Sequence, residues 1–116
     1  MQTADAVPAL AALAQEHRLA IYRLLVQAGP NGMAAGAIAD KLGLPASSLS
    51  FHLANLNRAG MIAQKRESRS LIYSVDFGRM NALVEFLTEN CCEGVSCAST
   101  GRAKAGRIVS QPRRAG

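Results

Sequence analysis

The 116-residue chain has three cysteines, and all lie within seven residues of one another, in "ENCCEGVSC": Cys91, Cys92 and Cys97. Three thiolates with no imidazole beside them form an unusual ligand set. A structural zinc ion almost always takes four protein ligands, with paired cysteines spaced Cys-x₂₋₄-Cys. Adjacent cysteines followed by a third do not supply that, and Glu93, water or another chain would have to complete the shell. Trivalent arsenic or antimony has different needs. A lone pair occupies one direction, so three soft sulfurs in a pyramid satisfy the centre. The linker "EGVS" is short enough to keep Cys97 near the pair, and Gly94 and Ser96 let the chain curl back. Two other uses stay open at this point. One is a redox switch pairing Cys97 with one of the others. The other is a second soft metal. A vicinal Cys91–Cys92 disulfide would be strained, and disulfides are disfavoured in a reducing compartment.

The rest of the chain must position those thiols. Its length allows one domain of ordinary size. An apolar fraction of 49% with only 4% aromatics and no Trp points to packed helices rather than a sandwich. No run of 18 apolar residues is present, so no helix is expected to span a membrane. The start "MQTADAVPALAALAQ" places "ALA" before Gln15 in the manner of a signal-peptidase site. It carries Asp5 where a signal would carry positive charge. It reads as an amphipathic helix of a cytoplasmic protein. The net charge of +5 is misleading in its sum. Residues 1–97 hold eight Lys/Arg and eight Asp/Glu, and all five surplus charges lie in the tail, at Arg102, Lys104, Arg107, Arg113 and Arg114. The tail, residues 98–116, lacks periodic apolar residues and reads as disordered. A local cluster is more informative: Arg58, Lys65, Arg66 and Arg69 against the single acid Glu67.

Hydrophobic spacing divides residues 1–97 into elements. Val7, Leu10, Ala11 and Leu13 recur at helical intervals over residues 6–15, with Pro8 tolerable in a first turn. A second helix is expected over 16–27, ended by Gly29-Pro30-Asn31-Gly32. A third spans 34–41. A fourth begins at Pro45 and closes before Gly60, joined to the third by only "GLP" in helix-turn-helix fashion. The period then changes. Leu71, Tyr73 and Val75 alternate with Ile72 and Ser74, so residues 61–76 read as a two-stranded β-hairpin with the charged tip "KRESRS". Met80, Leu83, Val84 and Leu87 restore helical spacing over 77–90. The fold class expected is mainly α, a winged helix-turn-helix of about five helices and a hairpin wing.

The fourth helix offers a reading face. With Leu49 at the origin, Leu53 falls at about 40° and Leu56 at about 340°, which defines the inward side. Opposite them, at about 140° to 260°, lie Ser47, Ser48, Phe51, Ala54, Asn55 and Arg58. Ser and Asn can bond base edges in a major groove, and an exposed Phe can contact a thymine methyl. The alternative is that Phe51 folds back on a neighbouring element. His52 flanks the core stripe and suits packing or a phosphate contact better than metal ligation. His17 is too distant in sequence for an evident joint site. Lys65, Arg66 and Arg69 at the hairpin tip could reach phosphates or a minor groove.

"LAQEHRLAIYRLLVQAG", "AIADKLGLPASSLSFHLANLNRAGMI" and "KRESRSLIYSV" together resemble the ArsR/SmtB family of bacterial metal-sensing repressors, across about residues 5–97. The pattern Ser50-x-His52-Leu53-x-x-Leu56-x-x-Ala59-Gly60 carries the likeness and adds Ser50 and His52 to the DNA-facing set. The resemblance implies a homodimer closed by the first and last helices, here through Leu10, Leu13, Met80, Leu83, Val84 and Leu87. It also implies operator DNA that is released when an effector binds, with no cofactor needed for DNA binding. Three effector sites known in the family do not fit: the third helix has no cysteine, the last helix no histidine, and the N-terminus no cysteine. An arsenite-responsive subset resembles this chain in having "NCC" at the end of the last helix and a third cysteine shortly after. That likeness implies As(III), with Sb(III) as a second effector, bound by Cys91, Cys92 and Cys97. Rival readings are a redox-responsive or other soft-metal-responsive repressor of the same fold, and a thiol carrier for metalloid. No paired carboxylates, Cys–His pair or phosphate-cradling loop suggests an enzyme.

Overall fold

A computed structural model describes residues 1–94; Cys97 and the basic tail lie outside the described residues. The first helix, α1 (Thr3–Leu13), starts three residues earlier than its apolar spacing predicts. The backbone N–H of Gln2 donates to the Asp5 carboxylate at 3.1 Å, a capping arrangement that extends the helix toward the N-terminus. Pro8 therefore falls in the second turn instead of the first. Helix α2 (Glu16–Ala28) follows at once, its first turn capped by the Gln15 side chain, which accepts from the Arg18 N–H at 2.9 Å. Gly29 ends it at φ 80°, in the half of backbone space that glycine enters without penalty.

A two-residue strand, β1 (Met33–Ala34), comes next and was not expected, because residue 34 was assigned to the following helix. It pairs antiparallel with the third strand, Met33 opposite Tyr73 and Ala34 opposite Ile72. Gly32 is needed there: it lies at φ 71°, and a Cβ on it would run into the Tyr73 carbonyl. The helix-turn-helix is α3 (Ala35–Leu42), a left-handed Gly43, and α4 (Ala46–Arg58). The hairpin is β2 (Ile62–Glu67) and β3 (Ser70–Val75), turning at Ser68-Arg69 with Ser68 at φ 56°. The sheet is thus three-stranded, in the order β1-β3-β2, and not a simple hairpin. Tyr73 and Val75 are buried as their alternation requires.

The core is aliphatic: Ile21, Leu25, Ile38, Leu56 and Met61 are fully buried, with Leu49, Leu53, Ile62 and Leu83 beside them. Helix α1 contributes only its alanines, Ala6, Ala9 and Ala12. It packs on α2 and α4, and side chains this small let it approach closely. The last helix, α5 (Phe77–Leu87), is three residues shorter than its spacing suggests. The packed body ends at Phe86. Beyond α5, a 3₁₀ turn spans Cys91–Gly94.

Candidate DNA interface and thiol site

Leu49, Leu53 and Leu56 anchor α4 in the core, which turns the opposite side outward as the 100° arithmetic requires. Ser47, Ser50, Phe51 and Arg58 are exposed, Ser48 and Asn55 half-buried. Phe51 does not fold back: 63% of its surface is open to solvent. Asn55 is engaged within its own helix. Its Nδ2 donates to the Phe51 carbonyl at 3.1 Å, and its Oδ1 accepts from Arg58 Nη2 at 3.1 Å. The amide therefore steadies Arg58 and keeps one N–H and one oxygen lone pair for another partner.

His52 stands apart from the other residues expected on this face. It is 9% exposed and turned inward, so it joins the packing. The Arg18 guanidinium lies 3.5 Å from its Nδ1. A guanidinium can only donate, so this long contact favours a neutral ring that accepts at Nδ1. Burial, then the Arg18 charge, then His17 all hold the His52 pKa below its ordinary value. Arg18 in turn donates from Nε to the Ala12 carbonyl at 2.7 Å, near the end of α1. The rings of His17 and His52 are 5.6 Å apart. Distance in sequence had set these two residues apart, and the packing of α2 on α4 brings them together. No spacing rule could have found that contact.

The wing carries the basic cluster as expected. Lys65, Arg66 and Arg69 are all exposed, and Lys65 pairs with Glu67 at 3.2 Å. Both partners of that ion pair are solvated, so it contributes little and leaves the wing positive.

The residues assigned to a dimer interface divide. Leu10, Val84 and Leu87 are exposed, at 39%, 54% and 57%. Leu83 is buried in the chain's own core, and Leu13 and Met80 pack against it. Val7, 58% exposed, belongs with the outward group.

Cys91 and Cys92 lie on the 3₁₀ turn, not at the end of a helix. Asn90 and Cys92 take φ 59° and 54°. Asn tolerates that region, whereas for Cys it is uncommon. The turn brings the two sulfurs within 3.5 Å of each other. Cys91 is disulfide-bonded and Cys92 is an exposed thiol. The 3.5 Å contact is a non-bonded one, so Cys92 is not the partner in that disulfide. Cys97, the third expected ligand, lies outside the described residues. Among the described residues no cluster of three metal-ligating side chains occurs, and no helix is long and apolar enough to cross a membrane.

A helix-turn-helix with an outward polar helix and a basic β-wing defines a DNA-binding winged-helix protein. Comparison with known proteins agrees. Residues 13–65 match a family described as a helix-turn-helix domain. The transcriptional activator HlyU of Vibrio cholerae is 33% identical over 91 residues, 78% of this chain and 82% of that protein. Its solved structure superposes with a TM-score of 0.63, covering 79% of this chain and 99% of that one. The regulator YgaV of Escherichia coli is 32% identical over 88 residues, 76% of this chain and 87% of that protein. A homodimeric winged helix-turn-helix DNA-binding domain from Mycobacterium bovis, described as a possible ArsR-family regulator, is 28% identical. It covers 82% of this chain and 88% of that one, with a TM-score of 0.59. The chain belongs to the ArsR family of winged-helix transcriptional regulators, and it is a DNA-binding regulator, not an enzyme.

Proposed function

We propose that the protein is a homodimeric, operator-binding repressor whose DNA affinity is set by the chemistry of Cys91, Cys92 and Cys97. Helix α4 enters the major groove of each half-site, and Lys65, Arg66 and Arg69 contact the flanking backbone. The homodimeric M. bovis relative and the exposed Val7, Leu10 and Val84 support association. The effector we assign is As(III), with Sb(III) as its close substitute.

The observation that carries this assignment is the separation of the two sulfurs. For metal–sulfur distances of about 2.3 Å, sulfurs 3.5 Å apart subtend an angle of about 100° at a shared centre. That angle lets both sulfurs ligate one soft centre, and three thiolates complete the shell of a trivalent metalloid. The left-handed backbone at Cys92 is consistent with a turn built to bring the sulfurs together, since such conformations persist where function requires them. Metalloid capture needs Cys91 reduced.

The disulfide at Cys91 favours a second reading, in which oxidation itself is the signal. One titration separates the two. Reduced protein is mixed with a duplex from the DNA upstream of its own gene, with and without arsenite, and compared with peroxide-treated protein. As(III) sensing predicts a loss of affinity of about 5- to 150-fold with arsenite in a reducing buffer. Redox sensing predicts that arsenite changes nothing while peroxide does. The variant with Cys91, Cys92 and Cys97 all changed to Ser should bind DNA and ignore both.

A further inference from the structure

Phe51 has no place in the thiol chemistry or the fold. It lies at the centre of the outward face of α4 with 63% of its surface exposed, and removing it would leave the core untouched. Large apolar side chains are usually buried, so this one calls for a partner. Its surroundings on the helix are small. Ser47 and Ser48 precede it by one turn, and Ala54 follows by one turn. Asn55, also one turn on, is folded back onto the Phe51 carbonyl and Arg58. The ring therefore stands above its neighbours. Its inner edge is steadied by His52, whose ring meets it edge-on at 5.7 Å and 66°. His52 is itself within 3.5 Å of the Arg18 guanidinium. The outer face of Phe51 is left open and its orientation supported.

A phenyl ring on the reading helix can neither donate to nor accept from a base edge. In the major groove the apolar feature available to it is the C5-methyl group of thymine. Asn55, the side chain best suited to adenine on this face, already spends one N–H and one lone pair within the helix. Resting on the reading of α4 as the helix that enters the major groove, we propose that Phe51 is a specificity-determining residue that reads one thymine methyl in each half-site.

The test uses the full chain in reducing buffer. Bound duplexes are enriched from a random pool, and each thymine of the enriched site is then replaced in turn by deoxyuridine, which removes only the methyl group. The proposal expects one thymine per half-site at which the change weakens binding about 4-fold, the worth of one buried methyl. In Phe51→Ala that penalty should vanish while the remaining positions keep theirs. Phe51 is exposed, so the variant should fold, which its circular dichroism and melting temperature verify. Deoxyuridine penalties absent from every position, or unchanged in Phe51→Ala, would overturn the proposal. The same holds if Phe51→Ala loses affinity with no methyl dependence, as a wedge between base steps would. A pool that yields no enriched duplex overturns the operator-binding reading itself, and this proposal with it.

Discussion

Helices α1 and α4 divide their large and small side chains in opposite ways. Helix α4 buries Leu49, Leu53 and Leu56 and presents Ser47, Ser50, Phe51 and Arg58. Helix α1 buries Ala6, Ala9 and Ala12 and leaves Val7 and Leu10 outside. The first pattern is that of a helix whose apolar face is covered by its own chain. The second leaves its larger apolar groups without a cover, as an element of an interface would. Hydrophobicity alone would have turned α1 the other way. Close packing against α2 and α4 admits only methyl groups on that side.

The contrast can be tested by substitution. The largest effect is expected inside α4. Leu56→Ala should cost about 2–5 kcal/mol in denaturant unfolding, because Leu56 is fully buried and its removal leaves a cavity. On α1 the sensitive direction is reversed. Ala9→Leu should destabilise by about 1–3 kcal/mol through overpacking. Val7→Ser should change monomer stability by less than about 0.5 kcal/mol and instead shift the monomer–dimer balance in sedimentation. An Ala9→Leu variant as stable as the parent would show that α1 does not pack as described.

A smaller effect comes from His52, the polar exception on the inner side of α4. Its folded-state pKa lies below the ordinary value, so the unfolded chain takes up the proton first as pH falls. Its contribution is complete above about pH 6.5 and is lost as pH falls below that value. His52→Gln should flatten this acid limb of the stability curve. Tyr22, a buried residue of α2, gives the mirror case at high pH. Burial, and secondarily Asp76, push its pKa from 10.0 up to about 12. Stability should therefore be complete below about pH 10 and decline as pH rises toward 12, a limb absent in Tyr22→Phe. The Tyr22 hydroxyl is buried with no hydrogen-bond partner, so at neutral pH that substitution should shift stability by less than about 1 kcal/mol. A large loss would mean that the hydroxyl has a partner in solution.

Much of this arrangement was legible in advance because it depends on local periodicity. The Leu49–Leu53–Leu56 stripe located both the buried and the exposed side of α4, and Phe51 emerged on the side expected of it. The alternation of Leu71, Tyr73 and Val75 located the wing. Strand β1 was hidden, since two residues carry no period. The start of α1 was displaced because Asp5 caps the helix before the apolar pattern begins. Leu83 was placed at an interface because spacing reveals that a residue is apolar, not which surface covers it.

The amino-acid sequence by itself determined the winged helix-turn-helix, the outward face of α4, the basic wing and the cluster of thiols. Each of these follows from side chains within a few residues of one another, whose geometry a helix or strand repeats. Tertiary structure alone decided that α1 packs through alanines, that His17 and Arg18 meet His52, and that Gly32 underlies the Tyr73 carbonyl. These are contacts between segments tens of residues apart, where shape and exclusion of water choose the partner. The close approach of Cys91 to Cys92 lies between the two cases: adjacency made it possible, and a left-handed residue in a short turn made it real.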